Sequence, residues 1–344
     1  MTRAAKCDLA SLPKAELHLH LEGTLEPELI LELAERNKLP LPYSDAGELR
    51  SRYKFSQLQD FLNLYYENTA VLRHEEDFYD LTRAYLARAS ADAIRHAEVF
   101  LDPQVHAARG VPLEIALRGV SEALGSSVRD FGMTTGLIVN FLRDRPAEEA
   151  LETLRQVLSL GVPVLGIGLD SAEAGNPPSK FSAVFALARA SGLHCVAHAG
   201  EEGPPGYVWE ALDILHVARI DHGVRSMEDD MLVDRLALEG TPLTVCPLSN
   251  VVLGVFPALA AHPIMKMLAR GLRVTINSDD PAYFGGYVTD NYRQLVDTFG
   301  LDAKTVVQLA GNGITAAFVE EGRRSSLMQE LTRWEADWAA TSVG

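Results

Sequence analysis

Short apolar segments alternate with amphipathic segments along the 344-residue chain, and this alternation limits the possible folds more than any other feature. The apolar segments lie at residues 15–23, 96–103, 133–142, 163–170, 193–200, 218–224, 241–250 and 272–280. The segments between them have helical periodicity, and several end at a glycine that suits a helix C-cap. Strands that alternate with helices form parallel βαβ units, and eight such units close into a barrel. The sequence therefore predicts an α/β protein, a (β/α)8 TIM barrel that forms one domain over residues 1–344.

An open, doubly wound sheet is the alternative to a closed barrel. That fold binds dinucleotides at a glycine-rich turn, but Gly-Ile-Gly at 166–168 lacks both the third glycine and a following helix. The barrel is therefore favoured, with a helical insertion after the first strand at residues 24–92. Within this insertion, residues 55–67 form an amphipathic pattern that includes Leu58, Phe61 and Leu62. The pattern predicts either ordinary helix packing or a lid over the mouth of the barrel.

The composition excludes several classes of partner. The chain has 31 lysines and arginines and 47 aspartates and glutamates, and its net charge of −16 argues against nonspecific binding to nucleic acid or anionic membranes. Cys7, Cys195 and Cys246 are widely spaced and form no Cys-x-x-Cys motif, so neither a disulfide framework nor a thiolate metal site is expected. Cys195 and Cys246 fall in strands, where we expect small core residues. Without an apolar leader or a membrane-length segment, we expect a cytoplasmic protein, and its oligomeric state stays open.

Two histidines stand one residue apart in the first strand, in the sequence ELHLHLEGT at 16–24. Side chains at i and i+2 share one face of a strand, so His18 and His20 point the same way. Such a pair is either half of a metal site or part of a solvated strand face. The rest of the chain favours a metal site, because polar residues also follow strands five, six and eight: His198, Glu201, His222, Asp279 and Asp280. Catalytic groups in barrels lie at these carboxyl ends, so we expect the side chains to meet.

Three imidazoles and one carboxylate suit a divalent first-row metal ion, and zinc above all. We expect one zinc ion per chain, bound by His18, His20, His198 and Asp279, with water in the remaining position. The metal would lower the pKa of that water, and Glu201 and His222 would then be free to carry protons. A two-metal site is the competing expectation. Binuclear barrels of this class bridge their metals with a carboxylated lysine after strand four, and residues 168–173 contain no lysine.

The motifs HLHLEGT, HAGEE, DHG and SDDP begin at residues 18, 198, 221 and 278. In this order and spacing they resemble the adenosine/adenine deaminase family of the amidohydrolase superfamily, over residues 12–335. The resemblance implies a (β/α)8 barrel, one zinc ion on the same four ligands, and hydrolytic loss of ammonia from C6 of a purine. It further implies that Glu201 passes a proton to purine N1, that His222 orients the attacking hydroxide, and that Asp280 faces N7.

Two departures from the adenosine deaminase pattern bear on the substrate. Adenosine deaminases have aspartate where this chain has Glu22 and glycine where it has Ser171. The longer Glu22 would reach into the space of a ribose, and Ser171 would narrow the pocket beside purine N3. Both features resemble the adenine deaminase branch, which implies conversion of adenine to hypoxanthine and ammonia in purine salvage.

Other functions stay open at this point. Adenosine and N6-substituted adenines are alternative substrates. A non-catalytic purine-binding relative is disfavoured because Glu201 and all four expected ligands are present. The position of Glu201 directly after His-Ala-Gly argues against a cyclic amide as the substrate. Glu173 is expected either in a salt bridge or in contact with substrate. His106 and His262 receive no functional assignment.

Overall fold

A computed structural model describes residues 8–341, and a ring of parallel strands forms its centre. The strands are β1 (Lys14–His20), β2 (Ile94–Leu101), β3 (Thr134–Leu142), β4 (Gly166–Asp170), β5 (His194–Ala199), β6 (Arg219–His222), β7 (Pro242–Val245) and β8 (Arg273–Ile276). They pair in sequence order from β1 to β8. The ring closes beyond β8, where the Asp279 N–H donates to His18 O (3.1 Å) and the His20 N–H donates to Asp279 O (3.0 Å). The predicted TIM barrel is confirmed.

Helices cover the outside of the strands, so that almost every strand residue is buried. The α-helices are α1 (Pro27–Arg36), α2 (Ala46–Ser51), α3 (Leu58–Asn68), α4 (Glu75–Ala91), α5 (Pro103–Ala108), α6 (Leu113–Gly125), α7 (Ser127–Phe131), α8 (Ala147–Leu160), α9 (Ser182–Ala190), α10 (Pro205–Glu210), α11 (Asp230–Glu239), α12 (Pro247–Val252), α13 (Ile264–Ala269), α14 (Pro281–Phe284), α15 (Val288–Phe299), α16 (Ala303–Ala316) and α17 (Glu321–Thr341). A π-helical segment, Ala211–Leu215, continues α10.

The connection from β1 to β2 carries α1 to α4, as the sequence predicts. The last of these helices packs tightly on α6: a Cβ added at Gly119 would lie 2.2 Å from the carbonyl oxygen of Glu75. Helix α4 is therefore the outer helix of the first β/α unit. The bounds of the insertion, about 24–92, stay a prediction.

A buried ion pair fills the amino-terminal part of the barrel. Arg219 Nη1 lies 2.7 Å from Glu98 Oε2, and both side chains are fully buried. Glu98 Oε1 accepts from the Phe318 N–H (2.6 Å) and lies 3.1 Å from His96 Nε2. The Arg219 guanidinium also stacks 4.5 Å from the centre of the Phe318 ring. These contacts satisfy charges that would otherwise be costly to bury.

The predicted core cysteines, Cys195 and Cys246, are buried and form no disulfide. Cys7 lies outside the described residues. Within residues 8–341, no helix has both the length and the apolar character needed to cross a bilayer.

Candidate metal and active site

Left-handed backbone conformations mark the carboxyl-terminal rim of the barrel. Three non-glycine residues at or just beyond strand ends have positive φ angles: Ser171 (69°), His222 (61°) and Asp279 (66°). Such conformations cost about 1–3 kcal/mol each and persist where the surrounding structure enforces them. His222 and Asp279 were predicted to take part in the chemistry, and Ser171 was predicted to line the substrate pocket. The backbone strain therefore coincides with the expected site.

The expected metal ligands converge inside this rim. His18 Nε2 lies 3.2 Å from Asp279 Oδ1, and His20 Nε2 lies 3.3 Å from His198 Nε2 and 3.5 Å from Asp279 Oδ1. All four residues are buried, with at most 7% of their surface exposed. Tetrahedral zinc with Zn–N distances of about 2.0–2.1 Å requires donor atoms about 3.3 Å apart. These three spacings suit a zinc ion, but the four donors that all lie within 4.8 Å of one another are those of His18, His198, His222 and Asp279, without His20.

The outer ring nitrogen of each expected ligand histidine faces an acceptor. The acceptors are Thr244 O, 3.2 Å from His18 Nδ1; Asp170 Oδ2, 3.5 Å from His20 Nδ1; and Asp221 Oδ2, 3.6 Å from His198 Nδ1. The acceptor beside His18 holds the proton on Nδ1 and leaves the Nε2 lone pair free, as in metal-ligating histidines generally. Among the described residues, His198 Nδ1 and His18 Nε2 are buried and make no hydrogen bond. Donor chemistry and spacing thus both fit a metal ion.

His222 also lies close to the ligands, but its hydrogen bonds differ. The Ile264 N–H donates to His262 Nδ1 (3.2 Å), so His262 carries its proton on Nε2, which lies 3.2 Å from Asn250 Oδ1. The Asn250 amide therefore presents its Nδ2–H2 to His222 Nδ1 at 3.3 Å. A neutral His222 must then carry its proton on Nε2, and burial lowers the pKa of His222 to about 3, so it is neutral. The ring nitrogen of His222 lies within 4.8 Å of the donor atoms of His18, His198 and Asp279. Because a protonated Nε2 cannot bind a metal, His222 nevertheless differs from the ligand histidines.

Glu201 and Asp280 line the cavity beside these ligands. Burial, reinforced by the nearby Asp279 carboxylate, raises the pKa of both carboxyl groups well above the ordinary range. Within the described part of the chain, one carboxyl oxygen of each, Glu201 Oε1 and Asp280 Oδ1, is buried and makes no hydrogen bond. His222 Nε2 lies 3.5 Å from Glu201 Oε2. The site therefore offers two buried carboxyl groups whose raised pKa favours the protonated form.

Glu173 holds the loop that carries Glu201. Its carboxylate accepts hydrogen bonds from four consecutive backbone N–H groups, those of Gly200 (2.7 Å), Glu201 (3.0 Å), Glu202 (2.9 Å) and Gly203 (2.8 Å). Glu173 is 1% exposed. Within residues 8–341, Glu173 takes neither expected role: it forms no salt bridge, and it is not among the residues that line the cavity. The side chain is instead an anchor for the loop backbone.

The segment expected to form a lid borders the cavity. Leu58, Phe61 and Leu62 of α3 line it, and they pack with Tyr283 and Phe284 in one apolar cluster. The Phe61 and Phe284 rings are 4.6 Å apart. The same three side chains therefore both pack in an apolar cluster and line the cavity.

Ser171 also lines the cavity, as predicted, and its hydroxyl lies 3.3 Å from the hydroxyl of Tyr66. The structure thus brings Ser171 to the cavity wall together with a tyrosine that the sequence analysis did not single out.

Glu22 does not line this cavity, contrary to the expectation that it reaches into the space of a ribose. Its carboxylate is fully buried, and Oε1 accepts from the Asp102 N–H (3.1 Å) and lies 2.8 Å from His106 Nε2. His106, to which the sequence analysis assigned no role, thus contacts one oxygen of Glu22, while Glu22 Oε2 makes no hydrogen bond among the described residues.

Asp102 and Asp170 line the cavity, although the sequence analysis did not select them. Burial and the mutual interaction of the two carboxyls raise the pKa of Asp102 well above the ordinary range, while burial also raises the pKa of Asp170. The Asn140 amide donates to Asp170 Oδ2 (2.7 Å). Both aspartates stand at the ends of strands, β2 and β4, so the rule that selected the other site residues would have found them.

Comparison with known proteins agrees with the geometry of the site. The family model described as adenosine deaminase matches residues 13–334. The chain belongs to the adenosine deaminase family. An adenine deaminase of Ectopseudomonas mendocina is 55% identical over 308 residues, which cover 90% of this chain and 98% of that protein. The predicted place within the adenine deaminase branch of the adenosine deaminase family is confirmed.

Two solved structures of similar proteins resemble the barrel closely. The adenine deaminase of Arthrobacter aurescens superposes with a TM-score of 0.93 and is 56% identical, covering 94% of this chain and 99% of that chain. An amidohydrolase of Burkholderia ambifaria with bound zinc has a TM-score of 0.91 and 28% identity, covering 100% of this chain and 96% of that chain. Both agree with membership of the adenosine deaminase family.

Proposed function

We propose that the protein catalyses the zinc-dependent hydrolytic deamination of adenine to hypoxanthine and ammonia, as a cytoplasmic enzyme of purine salvage. The observation that carries the proposal is one cavity in which three of the expected metal ligands, His20, His198 and Asp279, lie beside the buried carboxyl groups of Glu201 and Asp280. Relatives named adenine deaminase at 53–55% identity support adenine as the substrate.

We assign one zinc ion per chain to His18, His20, His198 and Asp279. The support is three donor spacings of 3.2–3.5 Å and the carbonyl oxygen of Thr244, which lies 3.2 Å from His18 Nδ1. When bound, zinc lowers the pKa of water and so supplies a nucleophile near neutral pH.

The side chains around the cavity then move the protons. Glu201, protonated because its pKa is raised, donates to purine N1, which makes C6 electrophilic. The resulting Glu201 carboxylate can accept one proton from the attacking water and pass it to the departing ammonia, and it regains a proton from the oxygen on C6 as the carbonyl of hypoxanthine forms. His222 donates from Nε2 to the attacking oxygen, and the protonated Asp280 carboxyl donates to N7. Ser171 and the residues Leu58, Phe61 and Leu62 complete the pocket around the base.

Steady-state kinetics on adenine and adenosine test this function. The zinc-loaded enzyme should release ammonia from adenine with a much larger kcat/KM than from adenosine. Glu201→Gln should lower kcat by about 10²–10⁴, the usual contribution of a general acid, without loss of bound zinc. Glu202→Gln is the matched control, since Glu202 does not line the cavity, and it should leave kcat nearly unchanged.

Metal content separates the two parts of the proposal. Removal of metal by a chelator should abolish activity, and stoichiometric zinc should restore it. A chain that binds zinc but releases no ammonia from adenine would refute the assigned substrate, and an active chain without metal would refute the assigned cofactor.

A further inference from the structure

The hydroxyl of Tyr65 is a buried polar group that makes no hydrogen bond among residues 8–341. Tyr65 lies in α3, lines the cavity and is 2% exposed. A buried tyrosine hydroxyl usually has a hydrogen-bond partner, and leaving it unpaired is costly. The position of Tyr65 on the cavity wall indicates that the partner is a ligand rather than another side chain.

Neighbouring aromatic rings hold the ring of Tyr65 in place. Its centre lies 5.2 Å from that of Phe61, 5.4 Å from that of Tyr66 and 6.0 Å from that of Tyr283. The cavity-lining residues of α3 recur at helical spacing and so share one face of the helix: Leu58, Phe61, Leu62, Tyr65 and Tyr66. Three of these side chains are apolar, and the hydroxyl of Tyr66 already lies 3.3 Å from Ser171 Oγ. Tyr65 therefore carries the polar group on this face that is free to bind a ligand.

The hydrogen-bonding atoms of a purine limit what this hydroxyl can meet. This step rests on the proposed function, in which C6 lies at the metal donors, N1 faces Glu201 and N7 faces Asp280. The ring nitrogens left for another group are N3 and N9, which lie on the edge of the base remote from C6. Tyr66, the next residue of α3, contacts Ser171, which we expect beside N3. A tyrosine hydroxyl can serve either atom, because it both donates and accepts.

We propose that the Tyr65 hydroxyl forms a hydrogen bond with the edge of the bound purine that carries N3 and N9. The hydroxyl donates to N3 or accepts from N9–H, and either contact supplies the partner that no other side chain provides. Adenine and hypoxanthine share this edge, so the contact stabilises substrate and product alike. An interaction of that kind acts on KM and leaves kcat nearly unchanged.

Tyr65→Phe removes the hydroxyl and keeps the ring, so it tests the contact without creating a cavity. The affinity for hypoxanthine is measured by calorimetry, kcat and KM are measured with adenine, and the free energy of unfolding is measured by denaturant titration. Two matched controls pack in the same aromatic cluster but do not line the cavity. Tyr283→Phe removes a hydroxyl that accepts from Asn68 Nδ2 at 3.1 Å. Tyr53→Phe removes another buried hydroxyl that makes no hydrogen bond in the described part of the chain.

The three variants should separate binding from stability. In Tyr65→Phe, the affinity for hypoxanthine should fall by about 2- to 13-fold, the factor for one net hydrogen bond, and KM for adenine should rise by a similar factor. The free energy of unfolding should not fall, because the substitution removes an unpaired buried polar group. Tyr283→Phe should instead unfold more easily and bind hypoxanthine as the wild-type protein does. Tyr53→Phe should change neither the affinity nor kcat.

Two analogues of hypoxanthine identify the atom that meets the hydroxyl. 3-Deazahypoxanthine has a carbon in place of N3, and 9-methylhypoxanthine has no proton on N9. Tyr65→Phe should cause no loss of affinity for the analogue that lacks the partner atom and the full loss for the other. Equal losses on all three ligands would place the hydroxyl away from this edge and overturn the proposal.

Other results would also overturn the proposal. Unchanged affinity and KM in Tyr65→Phe would exclude the contact, and an affinity loss accompanied by lower stability or by loss of zinc would make Tyr65 a structural residue. If the wild-type protein binds hypoxanthine but does not deaminate adenine, the proposed function fails, while the hypoxanthine affinities still decide the role of Tyr65. A wild-type protein that does not bind hypoxanthine would overturn the contact as well.

Discussion

Replacement of Glu173 by glutamine should displace the catalytic loop without emptying the metal site. In the wild-type protein one carboxylate oxygen accepts from Gly200 and the other from Glu201, Glu202 and Gly203. A glutamine has one acceptor oxygen, so its NH2 group must face at least one of these backbone donors. The substitution therefore leaves a buried N–H unpaired and removes the negative charge from the remaining hydrogen bonds.

The size of the effect follows from these four bonds. An unpaired buried donor costs about 1–3 kcal/mol, and each of three charge-assisted bonds loses about 1 kcal/mol when its acceptor becomes neutral. The sum, about 4–6 kcal/mol, is large for a single substitution, so the loop should shift rather than keep its geometry. Because a displacement of about 1 Å at a reacting group can cost about 100-fold in rate, kcat should fall by about that factor.

The assay follows adenine loss in the ultraviolet, together with zinc content and the free energy of unfolding. Glu202→Gln is the control on the same loop, because Glu202 contributes a backbone donor but lies outside the cavity. A Glu173→Gln variant that unfolds more easily yet keeps kcat within about threefold of wild type would refute the argument that Glu173 positions Glu201, since a 1 Å shift should cost far more.

Two further substitutions test other parts of the structure. Arg219 and His96 outweigh burial and lower the pKa of Glu98 to about 2, so its contribution to stability should be complete above the ordinary pKa of 4.5 and should disappear as the pH falls toward 2. The unfolding free energies of Glu98→Gln and of the wild-type protein are measured by denaturant titration between pH 2 and pH 7. The two values should therefore become equal only at the acid end. His262→Ala should release the Asn250 amide and lower kcat by about 10-fold, which is within the range of general acid–base contributions. The zinc content should not change. An unaltered kcat would show that His222 keeps its tautomer without the hydrogen bonds from His262 and Asn250.

The barrel could be predicted from the sequence because eight apolar segments repeat at regular intervals and the repeat itself dictates parallel strands. The expected ligands were accessible for the same reason: strand ends meet at one rim, so their polar residues must approach one another. The conformation of Glu22 was not accessible, because it depends on His106, whose position after β2 places it beside a residue 84 positions earlier in the chain. The relay from Ile264 through His262 and Asn250 to His222 likewise depends on tertiary contacts that no local pattern encodes.

The left-handed conformation of Ser171 bears on how such enzymes can change substrates during evolution. A mutation that alters specificity usually reduces stability, and the loss limits which routes are open. Glycine at position 171 would remove a side chain from the cavity wall and, because φ is 69°, would also relieve backbone strain. That relief offsets the greater conformational entropy that glycine has in the unfolded chain. A single mutational step at this position can therefore widen the pocket at almost no cost in stability, without a compensating change elsewhere.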